Sequence, residues 1–253
     1  MQLLLENDLE FLVGGAYAMA HYTGVARDTK DFDLLLRPAD VETALGIWRR
    51  AGYTADFEFT HWLAKVRAGR ACVDVIFRSG SGLGSIDETW FGEAREANIF
   101  GMRVRVAPPE ALIWQKAYIM ERERFDGADV AHLLASCAPL INWQRLIQLF
   151  EPDWRVLWSH LILFGFIFPS KRNLIPIDVV KEFNSRIVKE ENEPPPHDER
   201  CNGTLLSRIQ YLSDVTTGGL VDAREAARCH ISPAELQRWT EAGLKSAHHH
   251  RSD

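Results

Sequence analysis

The sequence predicts an α/β fold, with a mixed sheet of about five strands first and an all-helical half after it. Three observations carry this. Short apolar runs bounded by turn residues fill residues 11–106 and alternate with helical patterns. After Pro108-Pro109 the apolar spacing becomes helical and stays so through Val188. The stretch Lys189–His197 is charged and proline-rich, can bury little, and sets off a last helical segment. The expected units are therefore an α/β domain over 1–107, a helical domain over 108–188, a linker over 189–203 and a small helical tail over 204–253.

The elements follow in order. Phe11-Leu-Val-Gly14 reads as a buried strand closed by the Gly14-Gly15 turn, which opens a helix over roughly 16–23. Asp31–Leu36 reads as a second strand. Pro38 suits the first turn of a helix that runs to Ala51 and stops at Gly52. Tyr53–Phe59, Trp62–Arg67 and Cys72–Phe77 are β-rich runs, and Arg78–Gly84 is a flexible Gly/Ser loop. Asn98–Ile99 and Met102–Val106 flank Phe100-Gly101 as a hairpin. Helical patterns then cover Glu110–Glu123, Ala128–Cys137, Trp143–Phe150, Trp154–Phe168, Asp178–Val188 and Thr204–Gly243.

At 253 residues, 46% hydrophobic and 25% charged, the chain can bury a sizeable core, which excludes collagen-like, disulfide-scaffold and wholly disordered classes. A net charge of −6 argues against a generic nucleic-acid coat protein. Cys72, Cys137, Cys201 and Cys229 are far apart with no CxxC pair, as free thiols in a reducing compartment are. Glu6, Asp8 and Glu10 leave no basic region for a secretory signal. The most apolar window, Val156–Phe168, is interrupted by His160 and is too short to span a bilayer. A cytoplasmic setting without membrane contact is expected.

The chemistry concentrates on two strands. Side chains on a strand alternate faces, so Phe32, Leu34 and Leu36 point one way and Asp31 and Asp33 the other. Two carboxylates this close repel unless a cation or proton lies between them, and oxygen ligands favour Mg²⁺ or Mn²⁺. Taken alone, Asp-x-Asp is also what a solvated strand edge displays. In Cys72–Phe77, the residues Val73, Val75 and Phe77 form the core face and Asp74 faces away. If the two strands are neighbours, three carboxylates share one face, the arrangement of a two-metal phosphoryl-transfer site. Upstream, the Gly14-Gly15 turn offers free backbone N–H groups at a helix start. Between turn and strand, Arg27, Thr29 and Lys30 supply two cations and a hydroxyl.

Phe-Leu-Val-Gly14-Gly15 followed by Arg27-Asp-Thr29-Lys-Asp31-Phe-Asp33 resembles the DNA-polymerase-β-like nucleotidyltransferase superfamily. The Arg-x-Thr-x-Asp-x-Asp form looks most like bacterial abortive-infection and toxin–antitoxin nucleotidyltransferases. It is also similar to lincosamide and aminoglycoside nucleotidyltransferases. The resemblance covers residues 11 to about 137. Gly15 stands where the superfamily often has Ser, so one side-chain phosphate contact is missing. The resemblance implies that Gly14 and Gly15 cradle NTP phosphates and that Asp31 and Asp33 bind Mg²⁺ or Mn²⁺. It implies that Asp74 is the third carboxylate, on a metal or on the acceptor hydroxyl. Lys116 matches a family lysine that reaches the triphosphate, and Arg27 and Thr29 lie on the substrate side. Arg122, Asp126 and Asp129 fit an ion-pair network between helices. The implied activity is metal-dependent nucleotide transfer from an NTP to a hydroxyl or phosphate on RNA, protein or a small molecule. A cognate antitoxin is the partner the toxin branch would add. Two other readings stand beside it: a non-catalytic binding or regulatory module of the same fold, and an antibiotic-modifying enzyme.

Other signals are weaker. His197, Cys201, Cys229 and His230 make a poor zinc template. His21 and His61 sit near the motifs, where ordinary surface histidines are the commoner case. Trp114, Trp143, Trp154 and Trp158 suit packing between helices. Residues 221–239 resemble a helix-turn-helix, with Ser232 capping the second helix, but too few exposed basic side chains for reading DNA. No function is assigned to His248-His249-His250.

Overall fold

The computed structural model describes the backbone of residues 1–249 and side chains through Lys245. The histidine run at 248–250 lies outside the described side chains. The elements are, in order, α1 (Gln2–Leu5), β1 (Leu12–Val13), α2 (Gly15–Thr23), β2 (Asp31–Leu35) and α3 (Val41–Arg50). They continue with β3 (Thr54–Phe59), β4 (Leu63–Ala68), β5 (Ala71–Ile76), α4 (Glu88–Gly92), β6 (Arg95–Ile99) and β7 (Met102–Val106). The helices α5 (Pro109–Ala117), α6 (Gly127–Cys137), α7 (Trp143–Leu149), α8 (Trp154–Ile167) and α9 (Ile177–Glu191) follow. The last elements are β8 (Arg200–Cys201), α10 (Leu212–Thr216), β9 (Val221–Asp222) and α11 (Pro233–His249).

One mixed sheet has the order β3-β4-β5-β2-β1-β7-β6. It has seven strands, where about five were expected, because the β6–β7 hairpin joins β1 in parallel through Val13 and Val106 and so extends the sheet. β1 runs antiparallel to β2, and β2 runs parallel to β5. The core face predicted from alternation is present: Leu34, Leu36, Val75 and Phe77 are buried, and Phe32 and Val73 are partly buried. Burying such a side chain contributes about 1.5–3 kcal/mol, so this row fixes the register of β2 against β5. A slip of one residue would send the aspartates into the core.

The helical half packs through α5, α6 and α8. His160, which interrupts the apolar window, is buried on α8, and its Nε2 pairs with the Ala117 carbonyl at 3.0 Å. Among the described residues no helix is long and apolar enough to cross a membrane.

Three expectations for the helices are corrected. Thr204–Gly243 is not helical throughout: α10 and α11 are separated by the strand β9 and irregular chain. The pattern Glu110–Glu123 is not one helix: α5 stops at Ala117, and an isolated bridge between Met120 and Phe125 turns the chain back. The helix-turn-helix reading of 221–239 also fails. Asp222 begins a single 3₁₀ turn, Ala226 is extended, and the next helix is α11. The reason is a buried fork: the Arg224 guanidinium donates to both Asp222 oxygens, at 2.6 Å in the closest contact, and is 1% exposed. A pair that deep is satisfied only by this local turn, so the Ala226-Ala227 pattern has no helix to join. Ser232 does cap α11: its hydroxyl accepts from the Glu235 N–H at 3.3 Å.

Candidate active site

The parallel register of β2 and β5 sets Asp31 beside Cys72 and Asp33 beside Asp74. All four side chains therefore share one face of the sheet, opposite Phe32, Leu34, Val73 and Val75. Carboxylate oxygens of Asp31 and Asp74 and the Cys72 sulfur lie within 4.8 Å of one another, the one such His/Cys/Asp/Glu group among the described residues. The His197, Cys201, Cys229 and His230 set forms no such group. Lys65, on the neighbouring strand β4, donates from Nζ to Asp74 Oδ1 at 2.6 Å. Cys72 is a member the sequence reading missed, although the same period of two that selects Asp74 also selects it.

Asp33 sits differently. Its carboxyl occupies the place where a Cβ on Gly15 would stand, so it lies against the start of α2, outside the 4.8 Å group of Asp31, Cys72 and Asp74. Burial, then the charges of Asp74 and Asp31, push its pKa up to about 6 against the pull of Lys116 and Arg124. The repulsion expected for the pair is present, but desolvation is the larger cause.

Gly14 and Gly15 are tied to this face. The Gly14 N–H donates to the Asp33 carbonyl at 3.0 Å, fixing the turn to β2. Gly15 takes φ +51°, and any Cβ there would collide with Asp33, so glycine is required on two counts. The partial positive charge at the α2 N-terminus then faces the carboxylates.

The flanking cations form a second layer. Lys116 Nζ lies 2.8 Å from Asp126 and 2.9 Å from Asp129. Arg124 meets Asp126 at 2.9 Å, and Arg27 meets Asp129 at 2.5 Å. Burial alone would raise the Asp126 carboxyl, but the Arg124 hydrogen bond and the Lys116 charge outweigh it and hold it low. The expected network exists with Arg124 in place of Arg122, whose nearest carboxylate is Glu123 at 3.9 Å. Arg27 faces this network rather than Asp31. Thr29 donates its hydroxyl to the Asp31 carbonyl at 2.8 Å and so braces the start of β2.

A cleft of about 480 Å³ opens on this face. Gly15, Asp33, Asp74, Lys116 and Arg124 line its floor, and Trp62 and Arg78–Ser81 line one wall. The C-terminal segment continues that wall, through Ser207, Arg208, Ile209 and Trp239. Asp31, Arg27 and Thr29 lie outside the lining. The segment is held by specific contacts. Glu121 accepts from the Ser207 hydroxyl at 2.6 Å and from Arg208 Nε at 3.0 Å. Trp239 packs against Phe59 and Trp62, with ring centroids 4.8 and 5.2 Å away, and Arg208 sits 4.5 Å over its ring. His61 is not a surface histidine. It is buried between the Gly80 carbonyl and Glu235, each at 3.1 Å, and burial lowers its pKa despite the Glu235 charge.

Solved structures that resemble this chain include the following three. One is the antibiotic-resistance factor ANT(2'')-Ia, at 20% identity and TM-score 0.44, covering 63% of this chain and 91% of that one. A second is the lincomycin-bound lincosamide antibiotic adenylyltransferase LnuA, at 14% identity and TM-score 0.39, covering 52% and 90%. A third is an antigenic nucleotidyltransferase-like protein from Paracoccidioides brasiliensis, at 17% and 0.43, covering 68% and 87%. No curated protein sequence matches the chain. The profile of a family described as uncharacterised nucleotidyltransferase matches residues 3–157, which include β1 to β7, the Gly14-Gly15 turn, all three aspartates and Lys116. That match spans more than half of the sequence, and the chain belongs to this nucleotidyltransferase family.

Proposed function

We propose that this chain, in the cytoplasm, transfers a nucleotide from an NTP to an acceptor hydroxyl or phosphate in a reaction that requires Mg²⁺ or Mn²⁺. The observation that carries the proposal is the register of β2 on β5, which pairs Asp33 with Asp74 on the face that meets the Gly14-Gly15 turn. The residues fit a hard divalent ion. Asp31 and Asp74 bring oxygens within 4.8 Å of each other, and Asp33 carries a carboxyl whose proton is held up to about 6 by burial and like charge. A cation relieves both stresses. Asp31, Asp33 and Asp74 would hold it, and when bound it would supply charge neutralisation to the triphosphate and to the transferring phosphoryl group.

The chain's own groups do the rest. The N–H groups of Gly15 and of the first turn of α2 would bind phosphate oxygens, the Gly14 N–H being taken by the Asp33 carbonyl. Lys116 and Arg124 stand on the cleft floor, where positive charge favours the phosphoryl oxygens. Lys65 orients Asp74, the carboxylate placed to accept the acceptor's proton or to share the metal. The wall formed by Trp62, Trp239 and Arg208 excludes water from one side and shapes the acceptor site.

Labelled NTPs with Mg²⁺ or Mn²⁺, screened against tRNA, the protein itself and aminoglycosides, test the proposal. Metal-dependent labelling of one acceptor supports it. Nucleotide binding with no transfer to any acceptor would favour a non-catalytic module.

A further inference from the structure

We propose that the cleft contains a subsite for an oxyanion carried by the acceptor, formed by the Arg78 guanidinium at the head of the Arg78–Ser81 wall. The proposal rests on the nucleotidyltransferase reading of the same cleft and assigns the charge of the second substrate.

The charges of the cleft are nearly all cancelled from within. Arg208 is paired with Glu121 at 3.0 Å, Lys65 with Asp74 at 2.6 Å, and Lys116 and Arg124 with Asp126 at 2.8 and 2.9 Å. Glu123 has Arg122 at 3.9 Å. Among the described residues, Arg78 is the cleft-lining cation with no carboxylate in ion-pair range. Its neighbours are neutral oxygens: Nε donates to the Ser85 hydroxyl at 3.2 Å and Nη1 to the His61 carbonyl at 3.4 Å. Nη2 has no partner among the described residues. Burial pushes the guanidinium below its ordinary range, and no negative charge offsets that. A partly desolvated guanidinium with a free edge is a strong receptor for a planar or tetrahedral oxyanion. The Ser79 and Ser81 hydroxyls, 2.7 Å apart, lie on the same wall; one donates to the other, which leaves one further donor.

The subsite is distinct from the phosphate cradle of the NTP. Arg78 lies four residues beyond Asp74 along β5 and its extension, roughly 13 Å at the rise of a strand. The cations acting on Asp33 are Lys116 and Arg124. Arg78 instead stands near the wall made by Trp62 and by Trp239, which packs so closely on Gly80 that a Cβ there would lie 3.0 Å from its ring. The acceptor that fits is a phosphorylated or carboxylated molecule, and a polycation is disfavoured.

The test uses inorganic phosphate as the probe and thermal unfolding as the readout, with Mg²⁺ and a non-hydrolysable NTP analogue bound throughout. Phosphate at tens of millimolar should raise the wild-type Tm by about 3 °C. The rise should vanish in Arg78→Gln. It should also vanish in Ser85→Asp, which gives Arg78 an internal carboxylate and removes no cation, so the second variant decides the matter if the first fails to fold. Calorimetric affinity for the analogue should be unchanged in both. A phosphate effect that persists in either folded variant would overturn the subsite. No effect on wild type would do so too. If instead the variants lose analogue affinity, Arg78 serves the NTP and the acceptor assignment is wrong. Failure of wild type to bind the analogue at all would refute the nucleotidyltransferase reading, while the phosphate titration would still report on Arg78.

Discussion

Replacing Asp33 by Asn should stabilise the metal-free protein at neutral pH and leave it unchanged in acid. In the folded state the Asp33 carboxyl titrates at about 6, against an ordinary value of 3.8. Its folded pKa is raised, so the folded state holds the proton more tightly than the unfolded chain. Asp33 therefore costs nothing below about pH 4. The cost grows as pH rises toward 6 and is constant above that. Two pKa units correspond to about 3 kcal/mol, an upper limit because Asp33 retains some solvent contact. Asparagine keeps the shape and cannot ionise, so Asp33→Asn should gain on the order of 2 kcal/mol at pH 7.5 and close to nothing at pH 4. Urea unfolding of both proteins at the two pH values, in EDTA, measures this, and carboxylates common to both cancel in the difference. Adding Mg²⁺ should reverse the order, because the ion binds the folded wild type and loses a ligand in the variant. A variant no more stable than wild type at pH 7.5 would refute the picture of a desolvated carboxylate crowded by Asp74 and Asp31.

Other substitutions probe other parts of the site. Gly15→Ala meets both a positive φ and the Asp33 carboxyl; it should lower stability by about 1–3 kcal/mol and abolish NTP binding, checked by thermal melts and calorimetry. Lys116→Met leaves Asp126 and Asp129 without their shared cation; it should cost about 3 kcal/mol in urea unfolding, and an unchanged midpoint would mean that Arg124 and Arg27 suffice. Trp239→Ala removes the contacts with Trp62, Phe59 and Arg208; it should cost about 2 kcal/mol and speed proteolysis of the C-terminal segment while leaving residues 1–157 folded.

Much of the fold and the core of the site can be read from local pattern. Alternation on Asp31–Leu36 and Cys72–Phe77 separates an apolar face from an acidic one, and burial of Leu34, Leu36 and Val75 enforces that separation. Adjacency of the two strands is not a local property, yet it follows once both apolar faces must be covered together. What pattern misses is decided by contacts between distant residues. Trp62 and Trp239 pack on each other in the cleft wall, and neither position advertises the other. His61 looks like a loop histidine until Glu235 arrives from α11. The exchange of Arg122 for Arg124 has a nearby cause: Phe125 packs on Gly127, where a side chain would not fit, and the turn back from α5 aims Arg124 at Asp126. The same holds for Arg224, whose burial against Asp222 outweighs a plausible helical periodicity.

The most direct test of the central claim is pyrophosphate release from labelled NTP by wild type and by Asp31→Asn, each with and without Mg²⁺. The near-isosteric change preserves shape and removes a negative charge, so the variant should melt at or above the wild-type temperature. Loss of one metal-holding oxygen removes electrostatic stabilisation of the transferring phosphoryl group, which in comparable deletions is about 3 kcal/mol or more. The expected result is Mg²⁺-dependent release by wild type, reduced by on the order of a hundredfold or more in the variant. Release that proceeds equally well in Asp31→Asn, or equally well in EDTA, would contradict it.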